Sequence, residues 1–328
     1  MKNFELKHAS SFEEAASLLA DGAMILDGGT DMIYSMKGMH TPNLPDTLVA
    51  ISEIPNADYI KEENGYIKIG ALAKLCDIAA DKTVLSKAPA LAQAAKLVAS
   101  PELRNMGTIG GNICQRPRCI YYRNEFDNWP CARKHKGGLC YAITGVHRYH
   151  SIFGGVGGCM AVCPSDTAVA LVALGASIVT TKKTWAAADF FKVPSKEFGT
   201  ARGEQINALD SDEVVTEIQV PSSGNEKSTY VKWAFRKAID FPQCSAAVVI
   251  KSGKANIALG GVYNEPKYFE GVDISDPAAA GASVVAKATE ISNEGEGSNS
   301  FDKLDHYSNG YKIDITKTIV KRAIISLK

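Results

Sequence analysis

The sequence carries no surplus of charge of either sign. Its 36 basic residues balance 36 acidic ones, so charge gives no reason to expect nucleic acid or an anionic membrane as the main partner. Long hydrophobic runs are lacking too. The most apolar stretch, TAVALVALGASIVT from Thr167 to Thr180, is too short to span a bilayer and contains a glycine. The opening MKNFELKHASSFEEAASLL has neither the apolar core nor the cleavage site of a secretory signal. These absences point to a cytoplasmic protein. No internal repeat is found. Two nucleotide signatures are also missing: G-x-G-x-x-G after a strand, and the Gly-Lys-Ser/Thr ending of a Walker loop. Their absence argues against a dinucleotide-binding Rossmann domain and a P-loop NTPase.

The 328 residues, 45% hydrophobic and 22% charged, suit a globular chain of two or three domains. Ser11 and Glu14 form a capping box for a helix through Leu19. A strand is expected over Ala23 to Leu26, a helix after Thr30, and a strand over Leu48 to Ile51. Residues 1–55 thus read as a small α/β unit. Further on, a strand over Tyr66 to Ile69 precedes an Ala-rich helix from Pro89 to Val98. A helix over Thr167 to Leu174 and a strand over Ser177 to Thr180 continue the α/β pattern. Pro221 to Asn225 is a linker by composition. Strand-like runs follow at Tyr230 to Arg236, Ala246 to Lys251 and Lys254 to Leu259, predicting an antiparallel meander. Helices over Ala278 to Glu290 and Lys317 to Ser326, separated by the polar loop Ile291 to Ser300, complete a separate α+β domain.

Two glycine turns stand out, Leu26-Asp27-Gly28-Gly29-Thr30-Asp31 and Thr108-Ile109-Gly110-Gly111-Asn112. Glycine permits positive φ and close backbone approach, and successive N–H groups there make an anion nest. A helix starting after Thr30 adds its positive end. Two such turns suit the two halves of a pyrophosphate, although one such turn alone is more often just a tight turn.

Six of the eight cysteines crowd between Cys114 and Cys163: Cys114, Cys119, Cys131, Cys140, Cys159 and Cys163. In a reducing compartment such crowding signals metal or redox chemistry rather than disulfides. Zinc and an iron–sulfur cluster both remain open. The close pairs Cys114/Cys119 and Cys159/Cys163, with His135, His147 and His150 nearby, would suit zinc. A loop supplying four thiolates would suit a cubane. Tyr121, Tyr122, Phe126 and Trp129 sit among these cysteines and either shield such a centre or pack the loop. Cys76 and Cys244 read as small core residues.

The segments ILDGGTDMI (25–33), IGALAKL (69–75), ASPELRNMGTIGGNIC (99–114), FRKAIDFP (235–242), ALGGVYNEP (258–266) and YKIDITKTIVKRAI (311–324) resemble, in order, the FAD-binding subunit of xanthine-oxidase-type molybdenum hydroxylases. The resemblance covers nearly the whole chain. It implies an α+β protein with a two-part FAD domain of the vanillyl-alcohol-oxidase (PCMH) type over 1–220, split into 1–55 and 56–220. A C-terminal CO-dehydrogenase-flavoprotein-like domain would occupy 221–328. By the same match FAD would be held by Leu26, Asp27, Gly28, Gly29, Thr30, Asp31, Met32 and Ile33, and by Ala99, Thr108, Ile109, Gly110, Gly111 and Asn112. Ile120, Asp166 and Lys232 would join them, with Arg236 in the segment approaching the flavin.

The insert of about 114–163 is similar to the one that the 4-hydroxybenzoyl-CoA reductase branch uses for an additional [4Fe–4S] cluster. That implies Cys119, Cys131, Cys140 and Cys159 as ligands, with Cys163, followed by Pro164, as the alternative to Cys159. Cys114 is expected to be free. The branch further implies electrons passing from ferredoxin through the cubane and FAD to [2Fe–2S] clusters and molybdenum for reductive removal of an aromatic hydroxyl. Molybdopterin and the two-iron clusters would sit on a large and a small partner subunit, in a dimer of heterotrimers. Two alternatives remain: a hydroxylase of aldehydes, purines or N-heterocycles sending electrons outward, and a zinc-stabilised non-catalytic redox scaffold.

Overall fold

A computed structural model describes residues 1–19, 22–289 and 308–328. The chain opens with β1 (Glu5–His8), α1 (Phe12–Ser17), β2 (Met24–Leu26), α2 (Met32–Gly38) and β3 (Thr47–Ala50), whose strands run parallel in the order β1-β3-β2. The capping box forms: Ser11 Oγ accepts from the Glu14 N–H at 3.1 Å, and Glu14 accepts from the Ser10 N–H at 2.7 Å. A small core of Ala15, Val49 and Ile51 closes against Leu72 and Val214 of the next unit.

That unit is built on β4 (Ile60–Glu63), β5 (Tyr66–Gly70), β6 (Ser177–Thr180), β7 (Thr184–Ala186) and β8 (Val215–Pro221), ordered β4-β5-β8-β6-β7. Every pairing is antiparallel. The strand expected to continue the α/β pattern therefore joins an antiparallel sheet, because β8 returns between β5 and β6. Between β5 and the cysteine insert lie α3 (Leu75–Ala80), α4 (Lys82–Lys87), α5 (Pro89–Lys96), α6 (Pro101–Met106) and α7 (Ile109–Ile113). After the insert come α8 (Asp166–Leu174) and, past β7, α9 (Ala187–Phe190).

The remaining elements are β9 (Ser228–Trp233), β10 (Cys244–Lys251), β11 (Lys254–Gly260), β12 (Lys267–Asp273), α10 (Pro277–Val284) and α11 (Tyr311–Leu327). The expected three-stranded meander forms from β9, β10 and β11, and β12, which was not expected, extends it in the order β12-β11-β10-β9. Their period of two divides the side chains between two cores. Ala246, Val248, Ile257 and Leu259 join the core with α10 and α11. Ala247, Val249 and Ala258 face the other way, into the core holding α5 and α8. Helix α8 is buried along all its residues, which explains why its sequence is apolar without a polar face.

Helices α1 and α5 end two residues before the sequence suggests, and two other elements fall shorter still. The helix from Ala278 stops at Val284, and Thr289 N–H instead donates to Ile152 O at 2.7 Å. The end of that expectation at Glu290, and the polar loop Ile291 to Ser300, lie outside the described residues. The strand from Tyr230 stops at Trp233 because the following residues leave the sheet for the cleft described below. Among the described residues no helix is long and apolar enough to cross a membrane.

Candidate functional site

A cleft of about 460 Å³ opens where the first α/β unit meets the antiparallel unit. Both glycine turns line it: Leu26 to Met32 on one side, and Thr108, Gly110, Gly111 and Asn112 on the other. Gly28 has no space for a side chain, since a Cβ there would lie 2.2 Å from Met106 O. Gly29 turns the chain with φ +68°. Thr108 caps α7 by accepting from the Gly111 N–H at 3.2 Å, so its hydroxyl oxygen is already engaged. Ile109 is fully buried beneath the turn, and Ile33 packs behind Gly29, where Cγ1 would lie 3.1 Å from an added Cβ.

The polar groups converging on this cleft include several without partners. Asp27 Oδ2, Arg118 Nε and Gln205 Oε1 are buried and make no hydrogen bond, and all three residues line the cleft. Leaving such groups unsatisfied is costly. An acceptor at Asp27 suits a ribose hydroxyl, and a guanidinium donor at Arg118 suits a phosphate oxygen. The cleft thus fits FAD both in its backbone approach and in its unmet hydrogen bonds.

Asp31 plays another part. Its Oδ2 accepts from the Arg116 N–H at 2.8 Å, and its Oδ1 pairs with Arg118 at 2.8 Å and Arg123 at 2.7 Å. Burial pushes this carboxyl up, but Arg123 and Arg118 outweigh it and hold it below the usual carboxylate range. Asp31 therefore fastens the first glycine turn to the start of the insert. The Arg118 guanidinium also stacks on Phe241, 4.9 Å from the ring centre. Phe241 and Ile239 line the cleft from the loop after β9. Ile239 sits at φ +64°, a strained conformation for a β-branched residue.

Asp166 and Lys232 stand behind the cleft wall rather than in its lining. Asp166 is buried, hydrogen-bonded to the Tyr230 hydroxyl and paired with Lys232 Nζ at 2.8 Å. Burial pushes its carboxyl up against the pull of Lys232. Lys232 Nζ also donates to Leu97 O at 2.9 Å. This holds the segment leading to Ala99, a cleft residue at φ +44° that Arg104 secures through Val98 O at 2.7 Å. Arg236 is exposed and pairs with Asp240 at 3.3 Å. Ile120 is 42% exposed and outside the lining. Sequence reasoning did not single out Arg118, Gln205 or Asn207. Arg118 had one legible signal, a basic residue just past a glycine turn. Gln205 and Asn207 carry no motif.

Between α7 and α8 the cysteine insert has little regular structure. Its thiols fall into two groups. Burial pushes Cys119 up to about 12 and raises Cys131 and Cys140, and the Cys159 thiol adds to the shift of all three. Cys163 differs. Burial also takes it to about 12, but the charges acting on it are Asp166, Glu265 and Arg133, and it lies in the main core. The Cys159 thiol thus acts on the other three, while Cys163 packs in the main core, with Arg133 near both Cys159 and Cys163. Tyr121 lies beside Cys119, 5.5 Å from Trp129 and 6.0 Å from Tyr141 between ring centres. His150 Nε2 is 3.2 Å from Cys119 Sγ, and Arg133 Nε donates to Cys159 Sγ at 3.2 Å. Among the described residues no three His, Cys, Asp or Glu side chains converge as ligands of a single metal ion would. A cubane spreads its thiolates across four iron corners, so it does not require that convergence. Cys114 lines the cleft, Cys244 is buried, and Cys76, expected in the core, is only half-buried.

Residues 2–223 match the family model described as the FAD binding domain in molybdopterin dehydrogenase. The chain therefore belongs to that family and is a FAD-binding subunit of the molybdenum hydroxylase type. It is 32% identical over 282 residues to the aldehyde oxidoreductase FAD-binding subunit PaoB of Escherichia coli strain K12, covering 83% of this chain and 86% of that one. It is 28% identical over 275 residues to the glyceraldehyde dehydrogenase medium chain of Sulfolobus acidocaldarius, covering 80% and 77%. In fold it matches a chain of the carbon monoxide dehydrogenase from Hydrogenophaga pseudoflava with a TM-score of 0.69 and 24% identity, over 99% and 97% of the two chains.

Proposed function

We propose that this chain is the electron-transfer subunit of a three-part molybdenum hydroxylase that oxidises aldehydes, and that it carries both FAD and a [4Fe–4S] cluster. The observation that carries the reading is the cleft, where two glycine turns meet the unpartnered atoms Asp27 Oδ2 and Arg118 Nε. Bound FAD would exchange electrons in pairs or singly, linking two-electron chemistry on a partner to one-electron centres. The chain's own residues bind and orient it. Gly28 and Gly29 admit the pyrophosphate, Arg118 donates to it, Asp27 accepts from a sugar hydroxyl, and Ile239 and Phe241 exclude water. Substrate chemistry belongs to a molybdopterin-binding large subunit, with a [2Fe–2S] small subunit between, in a dimer of heterotrimers in the cytoplasm. Aldehydes are favoured because the two relatives described above, each matched over most of this chain, carry aldehyde-oxidising names.

Cys119, Cys131, Cys140 and Cys159 would hold the cluster, which supplies a one-electron relay. The packing of Cys163 in the main core, its N–H donating to Tyr263 O at 2.9 Å, supports this set over one with Cys163. A second reading reverses the flow: ferredoxin supplies electrons for reductive dehydroxylation of an aromatic acyl-CoA such as 4-hydroxybenzoyl-CoA. The cysteine insert favours it, through the resemblance to that branch. The test is anaerobic mixing of the purified complex with a panel of aldehydes. Bleaching of the flavin absorbance is expected. No bleaching by any aldehyde, with turnover of an aroyl-CoA driven by reduced ferredoxin, selects the second reading. Zinc without acid-labile sulfide in the metal analysis sinks the cluster.

A further inference from the structure

Among the described residues, two cations buried beside the cysteine insert have no acid paired with them. Arg133 is 2% exposed. Its Nε donates to Cys159 Sγ at 3.2 Å, its Nη1 donates to Gln205 O at 2.9 Å, and its guanidinium lies 5.2 Å from the Phe198 ring centre. Lys312, on α11, is fully buried, and its Nζ donates to His150 O at 2.9 Å and Gly261 O at 2.8 Å. Among the described residues neither makes an ion pair. Arg133 Nη1 also reaches the backbone carbonyl of Glu204 at 3.5 Å, but the Glu204 carboxylate is committed to Arg116 at 3.6 Å and to the hydroxyls of Thr41 and Tyr122. Neighbouring Lys134 behaves as expected of a buried cation and pairs with Asp127. A buried cation without an anion is costly, and arginine keeps its proton even there. Something negative is due at this place, and both cations lead to cysteines. Arg133 touches Cys159 directly. Lys312 holds His150, whose Nε2 lies 3.2 Å from Cys119 Sγ.

We propose that Arg133 and Lys312, the latter linked to Cys119 through the backbone carbonyl and then the ring of His150, form a cationic seat that neutralises the four-thiolate iron–sulfur centre and raises its reduction potential. The inference rests on the cluster reading above. Reduction adds one electron, delivered by the reduced flavin or by the external electron partner, and breaks no bond. It makes the ligated centre one charge more negative. Buried positive charge and N–H bonds to the ligand sulfurs stabilise that extra charge, and both are recognised controls on cluster potentials. Neither Arg133 nor Lys312 lines the FAD cleft, although Arg133 holds the backbone of Gln205, which does, so Lys312 is the variant that tests the insert alone.

The experiment is a redox titration of the whole purified complex, following the reduced cluster by electron paramagnetic resonance, with iron, sulfide and FAD counted in each sample. Wild type should hold about four irons and four sulfides at the insert. Finding none there overturns the cluster reading itself. Lys312→Met and Arg133→Met should keep their FAD. At a fixed solution potential each should show a reduced-to-oxidised ratio about tenfold lower, about 59 mV for a one-electron couple. Lys312→Arg should stay near wild type. Full iron with an unchanged potential in both Met variants overturns the seat while leaving the cluster standing. If the Met variants lose iron, retention in Lys312→Arg and Arg133→Lys upholds the seat, because charge alone then separates the pairs. Loss from the charge-keeping variants as well assigns both residues to packing and overturns it.

Discussion

Gly28 leaves no room for even one methyl group: a Cβ would overlap Met106 O, a backbone atom that cannot swing aside. Gly28→Ala is expected to weaken FAD binding at least about tenfold, or about 1.4 kcal/mol, as measured by flavin retained after gel filtration. Arg118→Ala should do the same by removing a phosphate donor and one of the two guanidinium partners of Asp31. Asp31 gives a pH signature. Its folded pKa is lowered, so its contribution to stability is present above the ordinary carboxylate range near about 4 and is lost as pH falls through the folded value. Asp31→Asn should cost about 1–3 kcal/mol at pH 7, and the gap from wild type should narrow in urea melts below pH 4. A gap unchanged by acid would contradict the ion pairs. The glycine turns were legible because backbone conformation restricts residue choice. Gln205 and Asn207 were not, because a polar residue in an irregular loop looks the same whether or not the fold aims it at a cleft.

Helix α8 explains which cysteine stands apart. Ser165 caps it, accepting from the Ala168 N–H at 3.0 Å, and Cys163 lies two residues upstream in the main core, its N–H donating to Tyr263 O at 2.9 Å. It belongs to the approach of the helix. Cys159 belongs to the insert, and Val156 and Cys159 form a bridge just before it leaves. Cys159→Ala is therefore expected to lose iron from the purified chain, while Cys163→Ala keeps it at a stability cost of about 1–2 kcal/mol. The opposite pattern would exchange their roles. The sequence left this choice open because Cys-Pro spacing favoured one residue and the helix offset the other; only packing separates them. Elements with strong periodicity, such as α5 and strands β9 to β11, were legible, whereas β12 was not. Strands β4 and β8 were not, since half-exposed edges and a long return before β8 leave no clear pattern. Helix α10 stopped early for a reason outside its own residues, the bond from Thr289 to Ile152.

Across the whole molecule, the last third of the chain holds the middle. Asn264 is buried and uses its whole amide: Oδ1 accepts from the Val156 N–H at 2.9 Å, and Nδ2 donates to Cys159 O at 2.8 Å and Ala161 O at 2.6 Å. Asn264→Ala is expected to cost about 2–3 kcal/mol by leaving these groups unpaired, seen as a lower urea midpoint at constant slope. It should also lower iron content more than FAD content, because Asn264 touches the insert and not the cleft. Equal loss of both would mean that the insert and the flavin cleft fold as one unit. The family-wide architecture was legible because its motifs run the length of the chain in order. The dependence of the insert on distant residues was not, because hydrogen bonds from Asn264 and Lys312 leave no local mark in the sequence.

The contact between α11 and the insert also sets an order of events in the cell. Lys312 reaches His150 O from a helix that begins at Tyr311, and Ser151 is held both by Val262 and by Asn309. The ribosome makes the cysteines long before it makes these partners. Until α11 has emerged, the thiols belong to a loop with no floor. On the proposed cluster reading, metal delivery would be a late step, reserved for finished chains, and a truncated product would lack the floor that α11 supplies.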